Sequence, residues 1–213
     1  MLSPTRSELA NGVVILAKQT TTTPAVAVNL AVRAGSSCDP PGWPGTAWML
    51  SRVIDRGTDT RSAADIAEEL DSRGITLTIT VTRHLFTVGC TCLSDDFEPV
   101  LGLIGDVLMS PSIPEAELAI RKGGVITAIR QDEDNPAVRA TESLMAMLYP
   151  GGHPYGRPTK GSVDIVEALT RDRVRQMHDE RFAPSELTAV IVGDVDASRA
   201  RDVVGRVFGA WRK

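Results

Sequence analysis

Strand-like and helix-like segments come in runs along this chain and do not alternate. That order restricts the fold more than any composition figure. Near the start, Asn11-Gly12 separates Ser7-Glu8-Leu9-Ala10 from Val13-Val14-Ile15-Leu16-Ala17. Asn-Gly between apolar runs predicts a β-hairpin. Ala25 to Arg33 is a long β-rich run expected in the centre of a sheet. Ile75, Leu77, Ile79 and Val81 alternate with Thr76, Thr78 and Thr80, which predicts a half-buried strand with one polar face. Leu85–Leu93 follows as its neighbour, and Leu187–Val192 reads as a last strand. Clustered strands without βαβ alternation predict an α+β fold, a largely antiparallel sheet with helices layered on one face. No Pro/Gly/Ser-rich linker divides the chain, so a single domain over residues 1–213 is expected.

Helix signals fill the intervals. Gly45 to Asp55 reads as a helix after the Pro/Gly-rich stretch Gly35–Pro44, which serves as a gating loop or as a plain connector. Ser62 with Asp65 has the form of a capping box, Ile66 and Leu70 supply an apolar i, i+4 pair, and Gly74 fits the stop. Asp95–Met109 is amphipathic. Ser112-Ile113-Pro114-Glu115 reads as a second capping box, opening a helix to about Asp134 in which Gly123-Gly124 is a weak spot. Asn135-Pro136 starts another helix through Met147, Ser162 and Thr170 read as caps of two more, and Ala197–Trp211 closes the chain.

Charge and residue types exclude several functions. A formal charge of −4 gives no electrostatic basis for binding nucleic acid or an anionic membrane. No apolar run approaches the roughly 20 residues of a membrane span. Met1–Leu9 lacks the apolar core of a signal peptide, which points to a cytoplasmic or organelle-matrix setting. Cys90 and Cys92 lie two apart in a strand and share a face, as buried small hydrophobes of a reducing compartment do; with Cys38 they make no metal spacing. His84, His153 and His178 lie far apart in sequence, none with a partner three or four residues on. No Ser-His-Asp, Cys-His or paired-carboxylate spacing supports an independent catalytic site. Glu68-Glu69 and Asp95-Asp96 read as solvated faces, and Asp132-Glu133-Asp134 do not converge on one helix face.

Six stretches, taken in order, resemble the pitrilysin/insulinase/mitochondrial processing peptidase family of zinc endopeptidases over nearly the whole chain. Leu9-Ala10-Asn11-Gly12-Val13 is similar to the family's opening hairpin, and Val32-Arg33-Ala34-Gly35-Ser36 to its V-x-A-G-S strand end. Gly45–Thr58 occupies the H-x-x-E-H helix, and Arg61–Gly74 the helix after it. His153-Pro154-Tyr155-Gly156 and Val192-Gly193-Asp194-Val195 match a late loop and the closing strand.

The chemical positions of that helix read Trp48, Ser51 and Arg52. An indole N–H only donates. A serine is no general base unaided. A guanidinium stays cationic and repels a metal. The resemblance places the family's third ligand, a Glu, at Ala128, 76 positions after Arg52. It therefore implies no catalytic residue, no metal ligand and no zinc in this chain, with zinc expected only in a partner subunit. Such members of the family act as the non-catalytic half beside a zinc-bearing peptidase subunit, or beside their own C-terminal half, and clamp a peptide substrate. The family adds an extended peptide to a sheet edge. The matching positions are Leu77, Thr78, Ile79 and Thr80, on a strand that is either an edge or internal. Family subunits carry two such domains, so the chain is expected to correspond to the N-terminal half of one. The competing expectation is a purely structural scaffold module of a larger complex. Trp48 either plugs the vacated metal pocket or serves as a core aromatic. Arg52 either receives a substrate carboxylate or pairs with Asp55 or Glu69, the pairing being favoured.

Overall fold

The computed structural model describes residues 3–212. Residues 1, 2 and 213, the two ends of the expected domain, lie outside the described residues, and with them the first two residues of the stretch Met1–Leu9. Strands β1 (Thr5–Glu8) and β2 (Val14–Gln19) form the expected hairpin, with Glu8 opposite Val14. Gly12 turns it at φ 93°, a conformation open to glycine. The Asn11 side-chain amide donates to the carbonyls of Phe208 at 2.7 Å and Trp211 at 3.2 Å, tying the turn to the end of the chain.

The remaining strands are β3 (Ala25–Val32), β4 (Thr78–Val81), β5 (Phe86–Leu93) and β6 (Leu187–Gly193). They make one six-stranded sheet in the order β1-β2-β6-β3-β5-β4. Among the described residues only the β2–β6 pairing is parallel. Ala25–Arg33 is central, as its long β-rich run predicts, between β6 and β5.

One face of this sheet is buried: Val26, Val28, Leu30 and Val32 of β3 line it with Phe86 and Val88 of β5 and Ala189 and Ile191 of β6. On the other face Ala27, Asn29 and Thr91 are exposed. The period of two thus sets which residues meet the helices. The helices are α1 (Thr46–Val53), α2 (Ala63–Asp71), α3 (Phe97–Met109), α4 (Glu115–Glu133), α5 (Pro136–Leu148), α6 (Val163–Ala168), α7 (Arg171–Arg181) and α8 (Ala197–Phe208). The fold is α+β. Helix α3 encloses Val100, Leu101, Leu103, Ile104, Val107 and Leu108. No helix among the described residues is long and apolar enough to cross a membrane.

Several boundaries differ from the sequence reading. The Ser62/Asp65 capping box forms as expected. The Ser112 box does not: α4 starts at Glu115 after Pro114 with no side-chain cap. Two arginines on α7 decide this. Arg171 donates to the carbonyls of Ser112 and Ile113, and Arg175 to those of Pro111 and Ser112, at 2.8–2.9 Å. They hold this segment out of cap geometry, and Ile113 takes φ 48°. Ser162 likewise makes no side-chain cap bond, whereas Thr170 accepts from the Arg173 N–H. The Gly123-Gly124 pair does not interrupt α4, which is continuous. Helix α8 stops at Phe208, short of Trp211. The strand expected over Ile75–Val81 begins only at Thr78, opposite Gly89. The Ile75 N–H is still bonded to the Leu70 carbonyl at the end of α2, so the chain reaches the sheet three residues later.

Candidate functional site

Helix α1 carries Trp48, Ser51 and Arg52, and its start is fixed from a distance. Asp39, six residues before Gly45, accepts the Gly45 N–H and the Ala47 N–H at 2.7 Å each, one on each carboxylate oxygen. This supplies the acceptors that the first turn of a helix needs. Asp39 is 5% exposed. Burial pushes its pKa up to about 6, outweighing the N–H bonds from Ala47 and Gly45 and the charge of Arg157, which act downward. Gly45 itself has φ 93°, and a Cβ there would stand 2.4 Å from the Lys160 carbonyl oxygen. The start of α1 is therefore pressed against the 158–161 loop.

The three side chains of the helix have other occupations. The Ser51 hydroxyl, buried, donates to the Trp48 carbonyl at 2.6 Å. Trp48 is half-buried and packs against the core while its other side faces a pocket. The Arg52 guanidinium carbon lies 4.6 Å from the Trp48 ring centroid, and Lys160 Nζ lies 5.5 Å from it. The expected pairing of Arg52 with Asp55 or Glu69 is not what forms: Asp55 pairs with Arg56 at 3.0 Å and Glu69 with Arg61 at 3.4 Å. An aromatic face in the adjacent turn, together with better-placed arginines for both acids, redirects the side chain.

Ala128 lies half-buried on α4. On α4 the acid that faces the pocket is Asp132, one turn further on, which accepts a hydrogen bond from Lys160 at 2.6 Å. Asp132 and Lys160 are site residues that sequence reasoning missed. Asp132 was legible as the same-face neighbour of Ala128. Lys160 had no signal, because only folding brings its loop to α1. The pocket has a volume of about 480 Å³, with Trp48, Arg83, Asp132, Val138, Glu142 and Lys160 among its walls.

Among the described residues, no three His, Cys, Asp or Glu side chains come together closely enough to hold a metal ion. At Trp48 the structure gathers two cations, Arg52 and Lys160, which repel a dication, and an indole whose N–H only donates.

The expected peptide-edge positions Leu77, Thr78, Ile79 and Thr80 divide. Thr78, Ile79 and Thr80 lie in β4 and Leu77 precedes it. β4 is an edge strand, hydrogen-bonded only to β5, so its outer backbone groups face away from the sheet. Helix α1 touches β4, which places edge and pocket on neighbouring parts of the molecule.

Beyond Arg83 lies an aromatic cluster. The Tyr155 hydroxyl meets His84 Nε2 at 3.1 Å, His153 stacks on Tyr149, and Arg83 lies 6.0 Å from the Tyr155 ring. His84 and His153, remote in sequence, thus meet one tyrosine. Cys90 and Cys92 are buried on the core face of β5, where a hydrogen bond donated by the Cys90 thiol to Cys92, together with burial, pushes the Cys90 thiol up.

Two family models match the chain: insulinase (peptidase family M16) over residues 14–161 and the peptidase M16 inactive domain over residues 168–213. An uncharacterized zinc protease of Rickettsia bellii is 29% identical over 205 residues, which is 96% of this chain and 49% of that protein. One from Mycobacterium leprae is 25% identical over 205 residues, covering 96% and 46%. The crystal structure of a peptidase M16 inactive domain from Pseudomonas fluorescens superposes with a TM-score of 0.91 at 25% identity, covering 98% of this chain and 51% of that one. A Helicobacter pylori protease superposes at 0.92 with 18% identity, a likeness of fold, over 100% of this chain and 51% of that one. The chain thus spans about half the length of the relatives it matches.

Proposed function

The chain belongs to the insulinase family of peptidases, M16, and from that premise we propose that it is a non-catalytic half, binding peptide and assembling with a zinc-bearing M16 half that cleaves it. The observation that carries this is the state of α1. Its frame is intact, capped by Asp39 and packed against α4 and α7, while Trp48, Ser51 and Arg52 are committed to stacking and backbone contacts. Family-wide, a zinc-bound water does the cleavage. Here no set of side chains among the described residues would hold the ion, so no chemical step is assigned to this chain.

Its contribution is surface. Edge strand β4 offers backbone donors and acceptors to an extended peptide, and α1 holds a pocket beside it. Matched proteins about twice as long support pairing with a second M16 half, supplied either in one polypeptide or as another subunit.

A scaffold role alone has one observation in its favour. Helix α5 encloses none of its residues, and Leu144, Met147 and Leu148 are 51, 73 and 61% exposed. Apolar side chains left open in this way suit burial within an assembly.

Metal content and peptide cleavage test the proposal, first on the chain alone and then on its mixture with an H-x-x-E-H-bearing homologue from the same source. The expected result is a chain that carries no zinc, is inert alone and raises the partner's cleavage rate. Stoichiometric zinc with cleavage by the chain alone overturns it. Association without any change in rate favours the scaffold role.

A further inference from the structure

The sequence holds one Asn-Gly pair, and the fold builds both of its residues into a joint. Asn11-Gly12 lies in the turn between β1 and β2. The Asn11 amide nitrogen donates to the Phe208 carbonyl at 2.7 Å and to the Trp211 carbonyl at 3.2 Å, while its oxygen accepts the Val13 N–H at 3.4 Å. The Gly12 N–H donates to the Leu9 carbonyl at 3.0 Å. Gly12 is also wedged in place: a Cβ there would stand 3.1 Å from Ser185 Cα. Phe208 is the last residue of α8, where backbone carbonyls have no partner one turn further on inside the helix. Asn11 supplies a donor to that carbonyl from 197 positions away.

We propose that Asn11 is a deamidation site, gated by this joint and, once converted, unable to remake it. The inference is independent of the peptide-binding reading above. In the reaction the Gly12 backbone nitrogen attacks the Asn11 side-chain carbonyl carbon and gives up its proton. The new carbon–nitrogen bond closes a succinimide ring, and the side-chain nitrogen leaves as ammonia. Water then opens the ring at one of its two carbonyls, giving Asp or isoAsp. Glycine favours the attack because no Cβ shields its nitrogen. Asn29 and Asn135 lack this setting: Leu30 follows the first within β3, and Pro136 follows the second with a nitrogen that carries no proton. Folding restrains both reactants at Asn11-Gly12. The Gly12 N–H is committed to Leu9, and the side chain is bonded at both its nitrogen and its oxygen, so the turn must open before attack. The product is a carboxylate, which accepts hydrogen bonds and donates none. It would face the Phe208 and Trp211 carbonyl oxygens at the negative end of the α8 dipole. Conversion therefore releases the hairpin turn from α8 and holds it released.

Peptide mapping by mass spectrometry tests this on the chain kept in mildly alkaline buffer, native and unfolded in urea. Asn11 is expected to convert at least about tenfold faster in the unfolded chain, the ratio being set by the free energy of opening the turn. Native material that converts on long storage gains a negative charge and is separated by anion exchange. In that material, and in Asn11→Asp, the backbone amides of residues 9–13 and 209–211 are expected to exchange hydrogen at least about tenfold faster than in the unconverted chain. Those of the central strand β3 keep their rates. The converted native protein supplies this readout even where Asn11→Asp does not fold. Equal conversion rates in the native and unfolded chains overturn the proposal, because the joint then gates nothing. Absence of conversion at Asn11 in urea overturns it too, as does hydrogen exchange in the converted protein that matches the unconverted chain.

Discussion

Asp39 gives the sharpest test of the physical account of the site. Its carboxyl is enclosed and bonded through both oxygens to the N–H groups of Gly45 and Ala47. Two opposing effects act on it. The N–H bonds favour the charged form, and removal from water favours the neutral form. In this structure the second wins, raising the pKa from its ordinary 3.8 to about 6. Between those two values the folded chain binds more protons at this site than the unfolded chain does. The contribution to stability is therefore complete below pH 3.8 and is lost as pH rises through 6. At 1.36 kcal/mol for each tenfold change in proton affinity, the upper limit is about 3 kcal/mol, and about 1–2 kcal/mol once water penetration is allowed for. The assay is urea unfolding of the native chain and of Asp39→Asn at several values between pH 4 and pH 7. The other titrating groups cancel in the difference between the two proteins. The native chain is expected to lose stability relative to Asp39→Asn across that range. A difference that is flat, or that grows as pH rises, refutes the reasoning. It would mean that the two N–H bonds outweigh burial and hold the carboxylate ionised.

Two further outcomes follow from the geometry around α1. Gly45→Ala forces a Cβ into a left-handed position 2.4 Å from the Lys160 carbonyl oxygen; it is expected to cost about 2–4 kcal/mol in thermal unfolding, and a change under about 0.5 kcal/mol would show that the 158–161 loop does not press on the helix. A double-mutant cycle of Trp48→Leu and Arg52→Gln is expected to give a coupling of about 0.5–1 kcal/mol in urea unfolding, and a coupling indistinguishable from zero would remove the guanidinium from the indole face.

The residue types on α1 were legible from the sequence. Trp48, Ser51 and Arg52 declare their donor properties by residue type, and no fold changes what an indole or a guanidinium offers a metal. Their contacts were not legible. Arg52 had acids at 55 and 69 within plausible reach, yet it lies over Trp48 because Arg56 and Arg61 hold those acids. Ser112 had the spacing of a cap and lost that role to two arginines about sixty residues away. The alternation from Ile75 identified a strand, but hydrogen bonding to the end of α2 trims it to Thr78–Val81. Local patterns report what a segment prefers, and such competitors are absent from the pattern.

The sequence by itself determined the α+β class, the Asn11-Gly12 hairpin, the central place of Ala25–Arg33 and the shared face of Cys90 and Cys92. These depend on periods of two and on turn chemistry, which act within a few residues. The tertiary structure alone decided that β4 is an edge, that Asp39 caps α1 from outside it, and that Lys160 and Asp132 meet beside Trp48. Each of these is a meeting of segments distant along the chain or of backbone left unpaired by the final strand order. Burial and partner geometry, which set both the pKa of Asp39 and the direction of Arg52, exist only once those segments have packed.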